Sequence, residues 1–116
     1  MQARAIARNV GISPRKIRMV VDLIRGRNVN EAYSILRFSK RGSTTPIEKT
    51  LRSAVANAQQ KADAEGSFLD TDELVVREVY VNEGPRHKRF RAGAMGRAAP
   101  RIKRTAHITI IVDRKE

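Results

Sequence analysis

Two histidines and a short acidic run are the residues whose types could support catalysis, and neither group is spaced for it. His87 stands among arginines, while His107 alternates with apolar residues; no evident carboxylate is placed to orient either imidazole as a general base. Asp70-Thr71-Asp72-Glu73 lacks the glycine and the distal glutamate of a calcium loop and reads as a solvated turn. Gly93 and Gly96 are not followed by the Gly-Lys-Ser or Gly-Lys-Thr of a nucleotide-phosphate loop, so their place is in turn geometry. Cysteine is absent, which removes disulfides, thiolate ligands and a cysteine nucleophile together. No catalytic residue, metal site or cofactor is expected.

The chemistry that the composition does favour is neutralisation of a polyanion. Lys and Arg number 24 against 12 acids, a formal charge of +12, and that self-repulsion opposes the compact state until a negative partner relieves it. Of the two usual partners, an anionic membrane would require an amphipathic helix with large apolar residues left over from the core, and none is evident. No segment approaches the length of a membrane span, and the opening residues carry no apolar signal-peptide run, so a cytoplasmic location without membrane contact is expected.

The cations are unevenly placed. Residues 63–83 hold seven acids, whereas residues 86–104 hold eight Lys or Arg and no acid. That basic stretch lies between two apolar, β-branched segments and is far longer than the 2 to 5 residues typical of a hairpin loop. Phe90, Met95 and Ile102 are too sparse to form a core, so the stretch alone cannot offset the entropy of ordering its backbone and is expected to be mobile when free. Built as a two-stranded ribbon of about ten residues a side, it would form a finger on the order of 30 Å long. A disordered loop serving only solubility is the bland alternative, but such a loop has no need of cations unmixed with acids. The expected RNA contacts here are Arg86, His87, Lys88, Arg89, Arg91, Arg97, Arg101, Lys103 and Arg104.

A second basic group, Arg4, Arg8, Arg15, Lys16, Arg18, Arg25 and Arg27, has only Asp22 set against it. Arg15, Arg18 and Arg25 fall off the Ile17, Val21 and Ile24 face, which predicts a phosphate-contacting helix surface in preference to an ordinary solvated one.

The elements that must position these residues follow from periodicity. Residues 3–10 alternate Ala3, Ala5, Ala7 with Arg4, Ile6, Arg8, as an edge strand would. Ser13-Pro14 opens a helix that carries Ile17, Val20, Val21 and Ile24 to a stop at Arg25-Gly26. A second helix starts at Asn30 with Ala32, Ile35 and Leu36 inward and ends in the polar run Ser39-Lys40-Arg41-Gly42-Ser43. Thr45-Pro46-Ile47-Glu48 has the spacing of a capping box with Pro at the first helical position. The helix it opens carries Ile47, Leu51, Ala54, Val55, Ala58 and Ala62 on one face and exits at Gly66. Residues 74–81 and 106–112 read as strands, with Arg77-Glu78 breaking the alternation of the first by either a bulge or burial on both faces. The fold class is α+β: a small three-stranded antiparallel sheet packed against about three helices, with a long protruding β-hairpin arm. Residues 1–116 are expected to form one domain, the arm occupying about 83–105.

Ser13-Pro14-Arg15-Lys16-Ile17-Arg18, Asp22-Leu23-Ile24-Arg25-Gly26, Ser53-Ala54-Val55-Ala56-Asn57-Ala58, Glu83-Gly84-Pro85 and Lys103-Arg104-Thr105-Ala106-His107-Ile108-Thr109 resemble the bacterial large-subunit ribosomal protein L twenty-two family, in order and over nearly the whole chain. Its hairpin motif falls on Lys88, on Ala94-Met95-Gly96-Arg97 and on His107-Ile108-Thr109-Ile110. The resemblance implies a structural constituent of the large ribosomal subunit that binds its RNA, supports assembly and lines the nascent-peptide exit tunnel with the hairpin. It places Arg89, Phe90, Arg91, Ala92, Gly93, Ala94, Met95 and Gly96 at a tunnel-facing tip. Implied partners are large-subunit ribosomal RNA, neighbouring ribosomal proteins and the nascent peptide, with no homo-oligomer. Gly93 stands where the family usually has Arg or His, and Ala99-Pro100 alters the returning strand. Arg91 could supply the missing charge through the freedom that Gly93 gives the backbone. The competing reading is a free-standing basic RNA-binding regulator or RNA chaperone, for which one would look for a recognition helix or stacking aromatics. The five aromatics, Tyr33, Phe38, Phe68, Tyr80 and Phe90, are scattered.

Overall fold

The computed structural model of the protein describes residues 2–39, 42–96 and 98–114, apart from the side chains at 91, 94 and 98–101. Lys40 and Arg41 of the expected polar run lie outside the described residues, as does Arg97.

The apolar alternation of the last segment makes it the centre of the sheet. Strand β5, Ala106–Arg114, pairs antiparallel on one side with β1, Gln2–Val10, and on the other with β2, Leu74–Glu83, giving the order β1-β5-β2. Register places Ala5, Ile110 and Val79 in one cross-strand row and Ala3, Val112 and Val76 in another, all buried. The small side chains of β1 leave room for α3, Thr44–Ala64, which lays buried Ala54, Ala58 and Ala62 over β1 and β5. Helix α1, Pro14–Ile24, covers β2 with Ile17, Val20, Val21 and Ile24, and α2, Val29–Phe38, wedges Ala32 and Leu36 between α1 and α3.

The break at Arg77-Glu78 is a β-bulge. Val76 faces Val112 and Glu78 faces Ile111, so Arg77 is the extra residue, and the buried set passes from Leu74 and Val76 to Val79 and Val81. Without that insertion the second half of β2 would turn its valines to solvent, because a one-residue slip exchanges the faces of a strand. The bulged Arg77 donates from Nη1 to Asp113 Oδ2 at 2.8 Å, and Asp113 also accepts the Arg114 N–H at 2.7 Å.

Helix starts depart from expectation in two places, the smaller being α2, which begins at Val29, one residue before Asn30. Helix α3 begins at Thr44, after Ser43, so Pro46 is its third residue and not its first, and Ser43 makes no side-chain cap bond. The predicted capping box is therefore displaced, although the expected Glu48–Arg52 pair forms at 2.7 Å. Asn28 caps α2 by accepting the Asn30 N–H at 2.9 Å. At the exit of α3, Ser67 N–H donates to the Ala62 carbonyl and Gly66 N–H to the Asp63 carbonyl, with Gly66 at φ +69, a left-handed helix stop.

Burial is the largest influence on the Asp113 carboxyl and opposes its ionisation. The groups around it outweigh burial, the Arg114 N–H and the Arg77 guanidinium among them, and hold its pKa below the usual carboxylate value. A lowered native pKa stabilises the fold above the unfolded-state value of about 3.9, and that contribution is lost as pH falls through the native value. Asp113→Asn should therefore cost about 1–3 kcal/mol near neutral pH and flatten the acid limb of the stability curve, as measured by urea denaturation from pH 7 downward.

Candidate nucleic-acid interface

The long basic stretch folds as a separate ribbon. β3, His87–Ala92, and β4, Ala98–Lys103, pair only with each other, in a register that runs from His87 opposite Lys103 to Ala92 opposite Ala98. Six residues a side give about 20 Å of ribbon. The sheet strands do not run into it unbroken, as the estimate of ten residues a side assumed; the chain leaves the extended pairing at residues 84–86 and 104–105, where Pro85 has no N–H to offer a ladder. The molecule measures 67 × 27 × 17 Å, its long dimension more than twice the next.

A joint of short contacts fixes the ribbon to the body. Gly84 N–H donates to the Thr105 carbonyl at 2.9 Å, and Thr105 Oγ1 donates to the Pro85 carbonyl at 2.6 Å. A Cβ on Gly84 would lie 2.5 Å from Thr105 Oγ1 and 3.2 Å from the His107 ring, so only glycine fits this crossing. His107 Nδ1 in turn accepts the N–H of Asn9, whose φ is 56, at the irregularity that ends β1. That bond uses the imidazole as a structural acceptor. His87 sits exposed at the start of the ribbon. Among the described residues no group of three or more His, Cys, Asp or Glu could hold a metal ion.

Beyond the joint, the described ribbon side chains are all exposed: Phe90 is 72 % accessible, Ile102 50 % and Met95 99 %. Strand parity sets His87, Arg89 and Lys103 on one face and Lys88, Phe90 and Ile102 on the other. Register sets His87 opposite Lys103 and Arg89 opposite Arg101, and none of the six cross-strand pairs of the ribbon contains an acid. At the tip, Met95 adopts φ 59 and Gly96 φ 78, so the reversal is made by a left-handed pair at residues 95 and 96. Of the expected contacts, Arg86 lies at the root, bonded to Glu83 at 3.1 Å, and His87, Lys88, Arg89, Lys103 and Arg104 are solvent-exposed. Backbone register places Arg91 and Arg101 on the ribbon, while Arg97 lies outside the described residues.

The second basic group divides. Arg4 and Arg8 lie exposed on β1, and Arg15 and Lys16 lie exposed in the first turn of α1. Arg18 and Arg25 turn toward the free edge of β2, donating from Nη2 to the carbonyls of Val81 at 2.9 Å and Val79 at 2.8 Å. Farther along the same edge, Gly26 N–H donates to the Val76 carbonyl and Val76 N–H donates to the Arg27 carbonyl. These contacts cover an edge strand that would otherwise offer its backbone to another chain. The helical spacing that set Arg18 and Arg25 apart from the core gave no sign of this task, and Arg25 also pairs with Asp22 at 2.7 Å. Each guanidinium keeps further donors for phosphate.

Comparison with known proteins finds relatives over nearly the whole chain. The family model described as ribosomal protein L22p/L17e matches residues 5–113. A Desulfitobacterium hafniense protein named large ribosomal subunit protein uL22 is 56% identical over 115 residues, covering 99% of this chain and 96% of its own length. Proteins of the same name from Bifidobacterium longum and Staphylococcus haemolyticus are 52% and 54% identical; each alignment covers all of this chain, with 98% and 96% of the respective relatives.

The joint carries a prediction of its own. Gly84→Ala should lower stability by about 1–3 kcal/mol, since Thr105 is buried and bonded and cannot yield without loss. Calorimetry of the variant checks this, and an unchanged Tm would mean that the crossing is looser than its contacts indicate.

Proposed function

The chain belongs to the ribosomal protein L22p/L17e family, and from that membership we propose how it works within the large ribosomal subunit. It is a structural constituent of that subunit in the bacterial cytoplasm and not an enzyme, and it associates with ribosomal RNA and other ribosomal proteins. Residues 1–116 act as one domain with an arm. The body sits against RNA through Arg4, Arg8, Arg15, Lys16 and Arg27, with the spare donors of Arg18 and Arg25. The ribbon from Arg86 to Arg104 enters folded RNA, its cations neutralising phosphates on both flanks. The tip, residues 89–96, faces the exit tunnel and the nascent peptide, and the chain works as a single copy.

The observation that carries this reading is the ribbon itself, a paired structure with its described side chains exposed and no acid in any of its cross-strand pairs, attached to a body whose core is already closed. RNA supplies the counter-charge that the ribbon lacks. The same ribbon could serve a free-standing regulator or RNA chaperone, but the near full-length match to large-subunit proteins favours the ribosomal role.

Deletion of residues 88–97 should leave the melting transition of the body in place, since these residues add nothing to its core, while weakening RNA binding. Collapse of the transition would contradict the separation of arm and body. With about six phosphates contacted, log affinity for RNA should fall against log salt with a slope on the order of −4 to −5, and a slope near zero would exclude an electrostatic arm.

A further inference from the structure

The sheet face turned away from the helices bears an aromatic and apolar strip to which nothing above assigns a role, beside Arg4 and Arg8 of the basic group. Register sets Ile6, Thr109 and Tyr80 side by side in one row across the three strands, with the core residues on the opposite parity. Thr109 is 4 % exposed, while Ile6 and Tyr80 are 40 % and 42 % exposed. The two outer side chains thus shelter the central threonine and leave an apolar strip, aromatic ring included, open to solvent. Arg4 and Arg8 bracket Ile6 on β1, two residues to either side, both exposed and neither ion-paired among the described residues. Of the acids on this face, Asp113 is buried against Arg77, and the exposed Glu78 lies on β2, two residues from Tyr80 and across Ile111 from Arg4. Strands β2 and β5 lead directly to the arm, so this surface continues the basic one.

We propose that this face is a further RNA contact, on which an unpaired base stacks against Tyr80 and packs on Ile6 while Arg4 and Arg8 hold the adjoining phosphates. An apolar protein surface laid on the same strip would leave two arginines without counter-charge at its rim, whereas a nucleotide satisfies the ring and both cations. The inference rests on the reading that the chain binds ribosomal RNA. It adds base stacking on the body of the sheet to phosphate neutralisation by the arm.

The chain has two tyrosines and no tryptophan, so a Tyr33→Phe chain reports on Tyr80 alone by fluorescence. Titration of that chain with polyuridylate should quench the Tyr80 emission. In the wild-type background, Tyr80→Ala should weaken affinity about tenfold, and Tyr80→Phe should restore it. Unquenched emission together with an unchanged affinity of Tyr80→Ala overturns the inference. If the chain lacking residues 88–97 still loses binding, the proposed role of the arm survives that failure; if it does not, the arm reading falls as well. Photocrosslinking in purified large subunits gives an independent outcome: attachment of Tyr80 to a nucleotide supports the proposal, and attachment to another ribosomal protein overturns it.

Discussion

The ribbon is held together against its own charge. Its backbone pairs over six residues a side, yet none of those pairs contains an acid to balance its cations, and Phe90, Met95 and Ile102 are left in solvent. Hairpins of this size are marginal in water even when their side chains assist them. Here the electrostatic contribution opposes pairing and burial offers little in return. The missing stabilisation has to come from outside, and a chain of phosphates supplies it in the form the ribbon needs: counter-charge along both flanks, and donors matched to the planar guanidinium fork.

Everything else in the molecule can be understood as giving that ribbon a firm base. The core is complete without it, built from two buried rows across the sheet and the alanine face of α3. The bulge at Arg77 keeps Val79 and Val81 in that core as β2 runs out to the joint. At the joint, the Gly84–Thr105–Pro85 contacts fix where the ribbon leaves the body. Arg18 and Arg25 close the outer edge of β2 beside it, so two cations of the basic group also guard the sheet against pairing with another chain.

Much of this was legible in the residues. Alternation located β1 and β5, three- and four-residue spacing located the helices, and a run of cations without acids between two β-branched segments marked the arm. The break at Arg77-Glu78 was visible as a fault in the pattern, but only strand register could separate a bulge from burial on both faces. Other features depend on chain segments far apart in sequence. Gly84 is required by Thr105 and His107, and the bonds of Arg18 and Arg25 reach residues more than fifty positions away. The start of α3 was misplaced because Thr45 and Glu48 satisfy the spacing of a capping box while the chain enters the helix at Thr44. Tyr80 looked like one of several scattered aromatics until the register set it beside Ile6, across Thr109.

Amide hydrogen exchange, compared between the free protein and the protein within the large subunit, tests most directly whether the ribbon takes its stability from RNA. The account predicts that amides of His87–Ala92 exchange on the timescale of an open chain in the free protein, while those of β5 are protected, and that assembly slows the ribbon amides by orders of magnitude. Ribbon amides protected as strongly as β5 in the free protein would contradict it.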